Sequence, residues 1–204
     1  MAWTEIICLA NSRKHGGRCV AGLRTDGGGW VRLACKPPHT ELTPAQCKLD
    51  IERFVQPLDV FAVDLRDSAA SPIHPEDMLF ANQPLRYVRR ISAADLALVR
   101  TNRLVGPALF GCTQNKVAES AALASSLAVL EMEKYYLSTR PTSSGSSQLR
   151  VSFACAGQQY DLPVTQDDVP ITHSPHGALL TVSVGEPYNG FCYKLVATVL
   201  PKKK

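Results

Sequence analysis

The chain has no hydrophobic run near the ~18 residues that a membrane-spanning helix needs, so no such helix is expected, nor a membrane partner. It has no CxxC pair, and its seven cysteines form no zinc-finger pattern with its histidines. An odd, scattered set of cysteines, mostly inside apolar runs, reads as buried reduced thiols. With no signal-peptide pattern at its start, the expectation is a cytoplasmic protein. The GxxxxGK[ST] pattern of a phosphate-binding P-loop is missing as well. Tryptophan is scarce, with two residues among 204. Neither charge dominates, since the formal net charge is +4. Disorder is excluded by 45% hydrophobic and only 20% charged residues.

That small excess of positive charge is unevenly placed. Residues 1–36 carry Arg13, Lys14, Arg18, Arg24, Arg32 and Lys36 against Glu5 and Asp26, while the remainder of the chain balances. The run ANSRKHGGRCVAGLRTDGGGWVRL, residues 10–33, therefore concentrates cations, glycines and Trp30. Ser12, Arg13, Lys14, Gly16, Gly17 and Arg18 are the residue types of an anion cradle. Glycine lets backbone N–H groups turn toward a phosphate, and arginine adds bidentate donors. The same residues also suit a tight turn with a solvated basic loop.

Period-2 alternation and turn residues dominate the chain. Strands are expected at TEIICLA, RCVAGLRT, WVRLA, LDVFAVDLR and PLRYVRRI. Others are SLAVLEMEKYYL, the two arms of RVSFACAGQQYDLPV, ALLTVSVGEP and CYKLVATVL. Asp26-Gly27-Gly28-Gly29 and Ala156-Gly157 are hairpin turns by their chemistry. Ser92 opens a short helix, SAADLALVR, with Asp95 at the capping-box position, and NKVAESAALA is the best further helical candidate. The expected fold is all-β: two OB-like five-stranded barrels, residues 1–91 and 126–204, joined by a short helical segment over 92–125.

"LANSRKHGGRCVAG" and "GGGWVRL", together with "YDLPVT" and "TVSVGEPYNGFCYKLVATVL", resemble the dual OB-containing domain family. Where that family's third strand reads W-x-R-P, this chain has Trp30-Val31-Arg32-Leu33. The resemblance reaches both ends of the chain. It implies a prokaryotic tandem OB-fold protein that binds nucleic acid, with a link to anti-invader defence.

On the third strand, Trp30 and Arg32 share a face, and Val31 and Leu33 point the other way. Trp30 is a candidate stacking platform for a base, with Arg32 beside it for phosphate. Burial between the two barrels is the competing place for the indole. Arg86, Tyr87, Arg89 and Arg90 repeat the cation–aromatic theme. Near the C-terminus Glu186, Tyr188 and Lys194 are further candidate nucleic-acid contacts. Glu186 also has the charge to pair with a loop cation and tie the chain ends together.

No catalytic group stands out. Ser12, Lys14 and His15 are adjacent in one loop, and no local signature supports a thiol dyad of Cys19 or Cys192 with a distant histidine. His173 and His176 lack a third ligand, and Asp167-Asp168 read as a solvated turn. No cofactor or metal is expected. RNA or single-stranded DNA is the expected partner. An adaptor binding a protein partner, and a small-nucleotide sensor or hydrolase using the SRKHGGR loop, remain as alternatives.

Overall fold

The computed structural model describes residues 3–14, 16–36, 41–81, 83–92, 95, 108–142, 145–169 and 176–202. Seven strands build the first half: β1 Thr4–Lys14, β2 Gly17–Arg24, β3 Trp30–Ala34, β4 Asp59–Val63, β5 Leu65–Ser68, β6 Asp77–Phe80 and β7 Arg86–Arg90. Seven more build the second: β8 Lys116–Ala118, β9 Leu127–Met132, β10 Tyr136–Pro141, β11 Ser147–Cys155, β12 Gln158–Pro163, β13 Ala178–Tyr188 and β14 Phe191–Pro201.

The first seven form one sheet in the order β5-β6-β3-β2-β1-β4-β7, antiparallel except for β3 beside β6. One residue, Asp64, separates β4 from β5, yet these strands lie near opposite ends of that order. Only a sheet curled round on itself brings such ends together. Alternation then sends Ile6, Cys8, Val31, Leu33, Phe61 and Val63 inward to one core. In the second half a three-stranded sheet, β10-β11-β12, and a four-stranded sheet, β8-β14-β13-β9, enclose another. Its centre is Leu130, Val151, Phe153, Tyr160, Leu180 and Val196. Two hairpins here turn on φ > 0 pairs, Ala156-Gly157 (50° and 77°) and Asn189-Gly190 (51° and 79°), where glycine takes the second position without steric cost.

The expected architecture needs correction. The chain is all-β with two curled half-barrel sheets, but the described residues contain no α-helix to join them. Between 92 and 125 they hold a 3-10 turn, Leu109–Gly111, and strand β8. The segment read as helical, NKVAESAALA, supplies β8, because Val117 enters an apolar cluster with Val184 and Cys192 while its backbone pairs with β14. Tertiary pairing outweighs local helix propensity there. The capping contacts of Ser92 do form, with its N–H and hydroxyl donating to Asp95 Oδ2 at 2.9 and 2.7 Å. Most of SAADLALVR lies outside the described residues. The strand count also differs, seven in each half rather than five. LDVFAVDLR breaks at buried Asp64 and SLAVLEMEKYYL divides into β9 and β10.

The halves are firmly joined. Ile7, Leu9, Leu23 and Val60 on the outer face of the first sheet meet Val129 and Leu179 of the second half. Thr181 Oγ1 donates to the Leu9 carbonyl at 2.8 Å. The end of β1 continues across the junction, with Arg13 N–H donating to the Thr165 carbonyl at 3.0 Å. All seven cysteines are free thiols. Among the described residues no helix is long and apolar enough to cross a membrane.

Candidate functional site

Hairpin β1–β2 carries the basic loop into the junction between the halves. Ser12, Arg13 and Lys14 on β1, Arg32 on β3, and Glu186 and Tyr188 on β13 line one cleft of about 390 Å³. Val184 and Leu195 add apolar wall. The cleft thus collects six of the eleven expected site residues. Arg18 lines a separate cavity with Asn11, Asp167 and Asp168.

Each loop cation meets a carboxylate of the second half. Lys14 Nζ donates to Glu186 Oε1 at 2.6 Å. Arg13 Nε lies 2.7 Å from Asp167 Oδ1, and Arg18 donates to the other oxygen of the same carboxylate. Arg18 Nε also donates to Asn11 Oδ1 at 2.9 Å. Asp167, expected as a solvated turn, is therefore the anchor of the basic loop. Burial works to raise the Glu186 carboxyl, but the Lys14 ammonium outweighs it and holds the group below its ordinary value. Arg13 is the most open of the three cations, with 71% of its side chain exposed. Tyr188, 66% exposed, gives the same cleft an aromatic face.

The glycines serve backbone approach. A Cβ at Gly17 would stand 2.5 Å from the Leu42 carbonyl oxygen, so Gly17 lets the segment around Leu42 pair with Arg18. The Gly16 N–H donates to the Lys14 carbonyl at 2.9 Å, inside the turn. His15 lies outside the described residues.

Three expected contacts are wholly or partly buried. Arg32 is buried, with Nε donating to Asp77 Oδ1 at 2.6 Å and Nη2 lying 3.8 Å from Glu76. Its Nη2 makes no hydrogen bond among the described residues. Val31 and Leu33 do fill the first core, which turns Trp30 toward the second half. There the half-buried indole packs on the clusters containing Leu9, Leu23, Val129 and Leu127. Lys194 is 1% exposed, and its ammonium donates to the carbonyls of Cys112 and Gln114 inside the second half. Burial lowers its affinity for a proton, and no exposed surface is left for a ligand to reach.

Behind Arg32 lies a buried polar network that the sequence does not announce. Glu76 accepts from the Ser126 hydroxyl and from its N–H, and His74 Nδ1 lies 3.1 Å from the Ser126 Oγ. Burial, with Arg32 nearby, pushes the His74 imidazole down to about 4, so it is neutral at pH 7. Serine, histidine and carboxylate meet here, with Ser126 wholly buried. Burial raises the Cys19 and Cys192 thiols above their ordinary value, which keeps them protonated and poorly nucleophilic. The described residues hold no group of three or more His, Cys, Asp or Glu able to bind a metal ion. His173 lies outside them.

The search of curated proteins found no match. Among solved structures, a murine DNA-binding protein bound to double-stranded DNA aligns at a TM-score of 0.36 and 7% identity, covering 99% of this chain and 100% of that one. The tetrameric p202 HIN2 aligns at 0.32 and 9%, covering 97% and 96%. TM-scores this low leave the arrangement of elements only loosely alike. The family comparison is of another kind, for the dual OB-containing domain model matches residues 4–199. With NSRKHGGRCVAG near one end of that match and GEPYNGFCYKL near the other, the chain belongs to the dual OB-containing domain family.

Proposed function

We propose that this protein is a non-catalytic binder of single-stranded nucleic acid, RNA or DNA, and that the cleft between its halves is the contact site. The observation that carries this reading is the convergence of Arg13, Lys14 and Tyr188 on one cleft of a dual OB chain. Arg13 supplies an exposed guanidinium for phosphate, and Tyr188 supplies a ring on which a base stacks. Lys14 is held beside them by Glu186. Compared with the expectation from sequence, the aromatic role passes from Trp30 to Tyr188. The phosphate role narrows to Arg13 with Lys14.

Fluorescence anisotropy with labelled single-stranded RNA, single-stranded DNA and duplex tests the reading. Arg13→Ala and Tyr188→Ala should each weaken binding to a single-stranded form, and unchanged affinity in both would remove the cleft from the interface. A mononucleotide is a second reading favoured by one observation, since about 390 Å³ falls within the range of small-ligand pockets. Saturable displacement of the oligonucleotide by a free nucleoside monophosphate would support it.

A further inference from the structure

The sheet face of the first half that packs on the second half is only partly covered. Ile7 and Val60 lie under the second half, but their row runs on past it. Glu5 on β1 stands opposite Ala62 on β4, and Ala62 stands opposite Arg86 on β7. β7 is the last strand of its sheet, and among the described residues no further strand pairs with it, although the Tyr87 N–H donates to Asp50 Oδ1 at 2.9 Å. Arg86, Val88, Arg89 and Arg90 are all exposed.

Arg86 differs from its neighbours in what holds it. Arg89 Nη1 lies 3.3 Å from Glu5, and Arg90 Nη1 lies 2.8 Å from buried Asp59. Arg86 instead lies over the half-buried Trp3 indole, with Cζ 3.8 Å from the ring centroid. No carboxylate among the described residues pairs with it. An indole fixes a guanidinium without neutralising it. The result is a charged, planar group held against an aromatic ring while remaining exposed. Such a group stacks a base and donates to a phosphate at once.

Arginines on an edge strand also discourage pairing with other chains, but any cation does that. The Trp3 support is needed only if the plane of the guanidinium matters. We propose that Arg86, laid on Trp3, is a second contact for single-stranded nucleic acid, separate from the cleft at the other end of β1. This rests on the function proposed above, and it extends the interface to the outer face of the first half.

The test uses a uracil or thymine 15-mer, with the full chain carrying Trp30→Phe so that Trp3 is the sole indole. The oligonucleotide should quench Trp3 emission as it binds. Arg86→Lys keeps the charge and the edge protection but loses the plane, and it should weaken binding about fivefold or more. Arg86→Ala should weaken it at least as much, with thermal unfolding of both variants unchanged. If both variants bind like the parent while Arg13→Ala binds less tightly, the second contact is refuted and the cleft stands. Failure of the parent to bind either oligonucleotide refutes both.

Discussion

The Lys14 ammonium and the Glu186 carboxylate, 172 positions apart in sequence, stand 2.6 Å from one another and join the end of β1 to the end of β13. The pair both closes the junction and competes with any phosphate for Lys14. Glu186→Gln therefore acts in opposite directions on two observables. It should lower stability by about 0.5–1 kcal/mol, the scale of a partly exposed ion pair, and raise affinity for single-stranded nucleic acid. Urea denaturation and anisotropy on the same preparation check both signs. A loss of affinity would make Glu186 a ligand contact rather than a competitor.

Acid should weaken the fold in two stages. The folded His74 resists a proton down to about pH 4, whereas the unfolded chain takes one up near 6.5. The unfolded state then binds more protons in that interval, so stability falls as pH drops from about 6.5 to 4. One such group contributes a slope of about 1.4 kcal/mol per pH unit. Asp59 and Glu186 are burdened by burial, but Arg53 and Arg90 hold Asp59 below its ordinary value and Lys14 does the same for Glu186. Their contribution is present above the unfolded pKa and is lost only as pH falls below about 4. Urea midpoints between pH 7 and 4 should fall for the parent and fall less steeply for His74→Gln.

Removing the Arg32 guanidinium should be among the costliest single changes. It would leave Asp77 and Glu76 as buried carboxylates without their cation. Arg32→Ala should lose about 3–5 kcal/mol. Trp30→Ala should also destabilise, by about 2–4 kcal/mol, because it opens a gap between the halves. Trp30→Phe, which keeps most of that contact, should bind oligonucleotide like the parent. A tenfold loss of affinity in Trp30→Phe, with stability retained, would return the stacking role to Trp30.

The strands and their faces were legible because alternation at Ile6 and Cys8, at Val31 and Leu33, and at Val151 and Phe153 follows directly from burying one face of a sheet. The tight turns at Asp26–Gly29 and Ala156-Gly157 were legible for the same local reason. The connector was not, since Lys116–Ala118 becomes a strand only by pairing with β14, a partner far along the chain. Within the site, Arg13, Lys14, Glu186 and Tyr188 were found from charge and aromatic type. Lys194 and Arg32 have the same types, but Lys194 lies on the face of β14 that turns inward, and Arg32, on the face of β3 away from the core as expected, is buried beside Asp77 and Glu76. The partnership of Asp167 with Arg13 and Arg18 had one signal, an acidic pair in a chain with a basic loop. His74 and Ser126 had none.

Loss of one phosphate contact should also show in the salt dependence of binding. For a single strand the logarithmic slope changes by about 0.7 for each phosphate neutralised. Arg13→Ala should therefore flatten the slope by roughly that amount, measured in a salt series from about 50 to about 200 mM. Arg66→Ala, which removes an exposed cation paired with Asp64 outside the cleft, should leave it unchanged.

The most direct test is an anisotropy titration of the parent and of Arg13→Ala/Tyr188→Ala against a labelled single-stranded oligonucleotide, at low and at physiological salt. Saturable binding by the parent that the double variant loses, with its thermal unfolding unaltered, is the predicted result. Absence of binding even at low salt, or equal binding by the two proteins, would contradict the cleft as a nucleic-acid site.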